Sequence, residues 1–128
     1  MASLNLVMLM GNVTRTPELR YTETGSAVTN VGLAISRRVP DGNGGWREKV
    51  VFTDVVFFGS PAETICKYLQ KGDRFFAEGE LDQDIRIVFK DKPNQREERK
   101  TKIFGRRFQF LPHADSRGGK HEPAPITP

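Results

Sequence analysis

One stretch restricts this chain more than any other: Val50-Val51-Phe52-Thr53-Asp54-Val55-Val56-Phe57-Phe58-Gly59. β-Branched and aromatic residues dominate it, it carries a single charge, and a glycine closes it, so it predicts a long strand. Successive side chains of a strand point to opposite faces. Val51, Thr53, Val55 and Phe57 therefore point one way, and Val50, Phe52, Asp54, Val56 and Phe58 the other. Both sets are largely apolar, yet the second holds an acid. A solvated face has no need of Phe52 and Phe58, and a closed core does not take an unpaired Asp54. One face is expected to pack a core and the other to meet something flat with polar edges, either nucleic-acid bases or a partner sheet.

The flanking segments supply the rest of a β-rich domain. Leu4 to Met10 is nearly continuous in apolar residues but too short for a core helix. It reads as a strand buried on both faces, or an edge strand covered by another subunit through Leu4, Leu6, Met8 and Met10. Gly11-Asn12 breaks it, Thr16-Pro17-Glu18 is a turn, and Leu19 to Thr22 is a short strand stopped at Thr24-Gly25-Ser26. From Ala27 the pattern alternates, with Val31, Leu33 and Ile35 on one face. Asn30, Gly32, Ala34 and Ser36 leave the other face low and open. A glycine-rich hairpin, Pro40 to Gly45, closes on Trp46-Arg47.

After the central strand, Ser60, Pro61 and Glu63 predict a helix start with Ser60 as N-cap and a capping box. Ala62, Ile65, Cys66 and Leu69 form its apolar stripe, and Gly72 its stop, giving about three turns. Arg74 to Leu81 predicts a strand with a bulge or bend at Gly79. Asp82 to Arg99 predicts a long polar hairpin with its tip near Lys92-Pro93-Asn94. Lys100 to Leu111 predicts the last strand, with Ile103, Phe104, Phe108 and Phe110 packing. Residues 112–128 are Pro, Gly, Ser and charge, and disorder is expected there. The chain thus divides into one domain, 1–111, and a tail, 112–128. An all-β, five-stranded Greek-key barrel with one α-helix between strands 3 and 4 and long β-hairpins is the OB-fold. An SH3-like barrel or a split sheet shares the strand content; the helix position favours the OB-fold.

Composition narrows the function classes. No run approaches the roughly 18 apolar residues of a membrane span, and the N-terminus lacks the positive region of a signal peptide. Cys66 is the only cysteine, which precludes an intrachain disulfide and fits a reducing compartment. A cytoplasmic, nucleoid-associated protein is expected. Its place on the helix stripe makes Cys66 a small hydrophobe. The two histidines, His113 and His121, both fall in the tail, and neither a phosphate loop nor metal-ligand spacing occurs. No catalytic residue, cofactor or metal is expected. The net charge of +4 admits a polyanion partner. Arg37 and Arg38 lead out of one strand, and Lys49 leads into the next. Lys71 ends the helix, and Arg86 to Arg107 holds nine Lys/Arg against three Asp/Glu. Positive charge gathered on one hairpin is either a polyanion footprint or a solvated face.

Four blocks resemble the bacterial single-stranded DNA-binding proteins. They are Met8 to Thr22 (MLMGNVTRTPELRYT), Gly25 to Ala34 (GSAVTNVGLA), Phe52 to Gly59 (FTDVVFFG), and Tyr68-Leu69-Gln70-Lys71-Gly72 through Glu78-Gly79-Glu80-Leu81. The resemblance covers about residues 1–111. It implies an OB-fold, a homotetramer, and sequence-tolerant binding of single-stranded DNA in replication, recombination and repair. Carried over by position, Phe52 and Phe58 match sites that stack bases; from the strand alone they are equally core rings. Trp46 either stacks a base or pins its hairpin. Three departures stand out. Asp82, Gln83, Asp84 and Ile85 replace residues that are usually basic or aromatic, which shifts the expected contacts to Arg86, Phe89, Lys90 and Lys92. Val39 beside Pro40 stands where some members have a stacking tryptophan. The tail holds Asp115 and Glu122 against Arg117 and Lys120 and ends in Pro128, so partners that recognise an acidic tip are not expected. An accessory, primosome-like interaction module and a single-stranded RNA binder are the competing readings.

Overall fold

The computed structural model describes residues 2–112; the expected disorder of the tail and both histidines lie outside them. The elements run β1 (Val7–Val13), β2 (Arg20–Tyr21), β3 (Ala27–Pro40), β4 (Trp46–Phe58), α1 (Ser60–Tyr68), β5 (Arg74–Val88) and β6 (Arg96–Phe110). The sheet order is β1-β5-β6-β4-β3-β2, and a further β1–β3 pairing closes five strands into a barrel. All pairs are antiparallel except β4–β6, where Val55 lies beside Ile103 and Val56 beside Phe104. This is the expected Greek-key barrel, with its helix between the third and fourth long strands.

Alternation appears in burial only over the second half of β4; Val50 and Val51, on opposite faces, are both exposed where the strand runs into its hairpin. Val55 and Phe57 are fully buried, whereas Phe52 and Asp54 are exposed. The inner face meets Leu33, Val31, Phe75, Ala77, Ile103, Phe108 and Phe110, with Ala62, Ile65 and Leu69 of α1 sealing one end. Phe57 packs edge-on against Phe108 and Phe75, at ring separations of 5.6 and 6.1 Å. Such rings bury large apolar areas and favour this T-shaped geometry.

Two local expectations are corrected. The helix has no capping box: Gly59, at φ 74°, takes the N-cap, and no side chain caps the helix. The positive φ turns the chain from β4 into the helix one residue earlier than a serine cap would, so Ser60 and Pro61 enter the first turn. The helix also ends early, at Tyr68. Gln70 to Asp73 instead form a turn, in which the Asp73 carboxylate accepts from Gln70 N–H and Gly72 adopts φ 93°. The second correction concerns Phe104. The register slips between Glu78 and Gly79, which face Arg107 and Gly105, so Arg106 is an extra residue on β6. The bulge expected at Gly79 thus inserts its residue in the partner strand. It reverses parity along β6: Ile103, Phe108 and Phe110 all point inward, and Phe104 points out.

Candidate nucleic-acid interface

The outer face of β2, β3 and β4, with β6 beside it, forms a groove of about 850 Å³. Cross-strand register arranges it in rows. Arg20, Val28 and Phe58 make the first, and Asn30, Val56 and Phe104 the second. Gly32 then faces Asp54, Ala34 faces Phe52, Ser36 faces Val50, and Pro40 faces Trp46. Directly opposed residues share a face, so the low side of β3 lies beside the aromatics of β4. With only a methyl group opposite it, Phe52 stands 71% exposed.

Phe58 differs. Its ring stacks on Phe104 at 5.5 Å, with 19° between the planes. The Arg106 guanidinium lies 5.4 Å from the Phe104 centroid and bonds Glu80 at 2.9 Å. Phe58 is therefore a wall of the groove with one face already covered, while Phe52 is free on both.

The two hairpins extend this surface. In the β3–β4 hairpin, Asp41 Oδ1 accepts from the N–H groups of Asn43 and Gly45, and Gly42 and Gly44 take positive φ. This fixes the turn and holds Trp46, 60% exposed, with Arg38 5.7 Å from its ring. Arg38 shares the parity of Ala34 and Ser36 beside Phe52. Arg37 and Lys49 oppose each other on the other face of the hairpin. The structure thus divides the basic residues predicted for this region.

On the β5–β6 hairpin much of the positive charge is already paired. Arg86 bonds Glu98 at 3.0 Å, Arg96 reaches the same carboxylate at 3.6 Å, and Lys102 pairs with Asp84 at 3.1 Å. The Arg86 hydrogen bond, with Arg96 nearby, holds the Glu98 carboxyl below its usual range. Phe89 sits at the hairpin tip at φ 56°, with Arg96 5.3 Å from its ring. Lys90 and Lys92 are exposed beside it. Lys71 is exposed in the turn after α1, where its N–H donates to Thr16 Oγ1, and does not line the groove. The groove also includes Arg15, Arg20, Lys100 and Lys102, which sequence reasoning missed as site residues, as it missed Phe104 behind Phe58. Parity could have drawn attention to Lys100 and Lys102; the places of Arg15, Arg20 and Phe104 depend on pairings between distant segments.

The barrel and groove define a class of oligonucleotide- and oligosaccharide-binding domains. The sequence profile of the single-strand binding protein family matches residues 4–111, and the chain belongs to that family. Curated relatives include the single-stranded DNA-binding proteins of Helicobacter hepaticus and Treponema pallidum. The first is 46% identical over 60% of this chain and 45% of its own, the second 45% identical over 65% and 47%. The chain spans about half the length of the curated relatives it matches. Among solved structures, a deletion mutant of the Thermus aquaticus single-stranded DNA-binding protein superposes with a TM-score of 0.74 at 28% identity. It covers 89% of this chain and 53% of that one. The Plasmodium falciparum SSB complex with single-stranded DNA gives 0.71 at 25% identity, over 87% and 97%.

Proposed function

We propose that this chain binds single-stranded DNA without sequence preference, covering it during replication, recombination and repair. The observation that carries the reading is Phe52. It is a bare ring on a barrel strand, flanked by small residues, in a groove bordered by Arg15, Arg20 and Lys100. Every base has a π-face, so such a ring takes any base, and neighbouring cations take the phosphates. Phe52 and Trp46 are the stacking platforms, Phe58 with Phe104 the wall, and Arg38, Lys90 and Lys92 outlying phosphate contacts.

The same reading includes assembly into a homo-oligomer, most simply a tetramer. Leu4, Leu6, Met8 and Met10 are all exposed, Leu4 at 91%. No described helix is long and apolar enough to cross a membrane; a cytoplasmic, nucleoid-associated location is part of the proposal. Titration with poly-dT, poly-rU and duplex DNA at two salt concentrations tests it. Binding to poly-dT well above duplex, weakening as salt rises, is expected. A preference for poly-rU would transfer the groove to RNA, and binding to none of the three would favour a protein-interaction module.

A further inference from the structure

The acid that made β4 hard to interpret has a partner. Arg15 follows β1, and its guanidinium crosses to Asp54 of β4, with a 3.2 Å contact between Nη2 and Oδ2. It can do so because of what lies between. Thr14 N–H donates to the Gly32 carbonyl at 2.9 Å, and Gly32 faces Asp54 in register. Thr14, Gly32 and Asp54 thus form one row across three segments. A Cβ on Gly32 would fall on the Thr14 hydroxyl and on the Arg15 guanidinium. Its absence opens the passage through which the arginine passes. Both charged side chains remain about half exposed, at 52% and 48%, and both line the groove beside Phe52 and Val56.

A carboxylate on the floor of a groove for a polyanion repels the backbone of its ligand. Paired with Asp54, Arg15 belongs to an ion pair of no net charge, and its planar guanidinium lines the same groove as the Phe52 ring. A guanidinium plane can stack a base as an aromatic ring does. We propose that Asp54 is a positioning residue that withholds Arg15 from the phosphates and turns its guanidinium into a base platform. The floor then favours bases, and the backbone is left to cations at the rim, such as Lys100 and Arg20. This inference rests on the single-stranded DNA reading and specifies which way the strand faces.

The test is the salt dependence of binding to an oligo-dT of about 12 nucleotides, within the roughly 4–16 that one OB-fold spans. Each phosphate neutralised on a single strand contributes about −0.7 to the slope of log K against log salt. Arg15→Gln, which removes the platform and leaves Asp54 unpaired, should weaken binding several-fold. Asp54→Asn should release Arg15 to a phosphate and steepen the slope by about 0.7. The double variant Asp54→Asn/Arg15→Gln should return the slope to its original value. If the double variant has a flatter slope than the unaltered protein, Arg15 is already a phosphate ligand and the proposal is wrong. It is equally wrong if Asp54→Asn changes nothing, or if the double variant keeps the steeper slope, since Asp54 would then act by its own charge. Failure of the unaltered protein to bind the oligonucleotide would instead overturn the DNA-binding reading itself.

Discussion

Phe52 and Phe58 occupy one face of one strand, six residues apart, yet their surroundings differ. Ala34 lies opposite Phe52 and leaves its ring in solvent. Phe58 is half-buried against Phe104. Replacing Phe52 with alanine should therefore weaken binding to oligo-dT by about 1–3 kcal/mol, the range for a stacked base, without changing the melting temperature. Phe58→Ala should weaken binding too, but it also removes the Phe104 contact, so a fall in melting temperature of a few degrees is expected. Parallel titration and thermal melts separate the two. Equal melting temperatures for both variants would contradict the assignment of Phe58 as a wall. The faces of this strand were legible in the sequence because alternation is a local rule. The difference between its two aromatics was not, because Phe104 is brought beside Phe58 by a pairing across more than forty residues of chain.

At the scale of an element, the bulge in β6 decides which aromatics form the core. Plain alternation puts Phe104, Phe108 and Phe110 on one face, and the sequence reading counted all three as packing. The extra residue, Arg106, sends Phe104 out while Ile103, Phe108 and Phe110 turn in. Gly105 sits at this crossing, facing Gly79 on β5. A Cβ at Gly105 would fall on the fully buried Phe57 ring, which neighbouring rings hold on two sides. Gly105→Ala should therefore overpack the core and destabilise it by about 1–3 kcal/mol, measured as a lower melting temperature at fixed protein concentration. An unchanged melting temperature would mean that the Phe57 ring can move aside. The glycine near the bulge on β5 was legible, as a residue that weakens a strand. The facing glycine was not, because its role depends on a ring contributed by another strand. The helix cap failed similarly: Ser60 and Glu63 have the right spacing, but the turn at Gly59 sets where the helix begins. The basic hairpin was legible as charge, whereas the carboxylates that occupy Arg86, Arg96 and Lys102 appear only when its two arms are set in register.

On the scale of the whole molecule, the barrel leaves one wall unfinished. β1 pairs with β5 from Val7 to Asn12, but it meets β3 only at Asn12 and Val13. From Val7 to Met10 its other edge has no partner strand among the described residues. Before β1, the Asn5 side chain donates to and accepts from the Leu81 backbone at 2.8 Å, extending the order of this edge. Met8 and Met10 stand more than half exposed on its outer face, and Met10 faces the half-buried Phe76 of β5. An apolar face beside an open strand edge invites another strand. A second copy related by a two-fold axis would bring the same patch against itself. Placing an acid at both Met8 and Met10 would then put like charges on both sides of the contact. Met8→Glu/Met10→Glu should shift the protein to a monomer in sedimentation at micromolar concentration. Each groove lies on another wall of the barrel, so affinity for an oligo-dT short enough for one subunit should be unchanged. Long oligo-dT, which spans several grooves when subunits are joined, should lose affinity disproportionately as multivalency is lost. If the unaltered protein sediments as a monomer, the open edge is not an assembly surface. If the double variant remains oligomeric, the subunits meet through some other face.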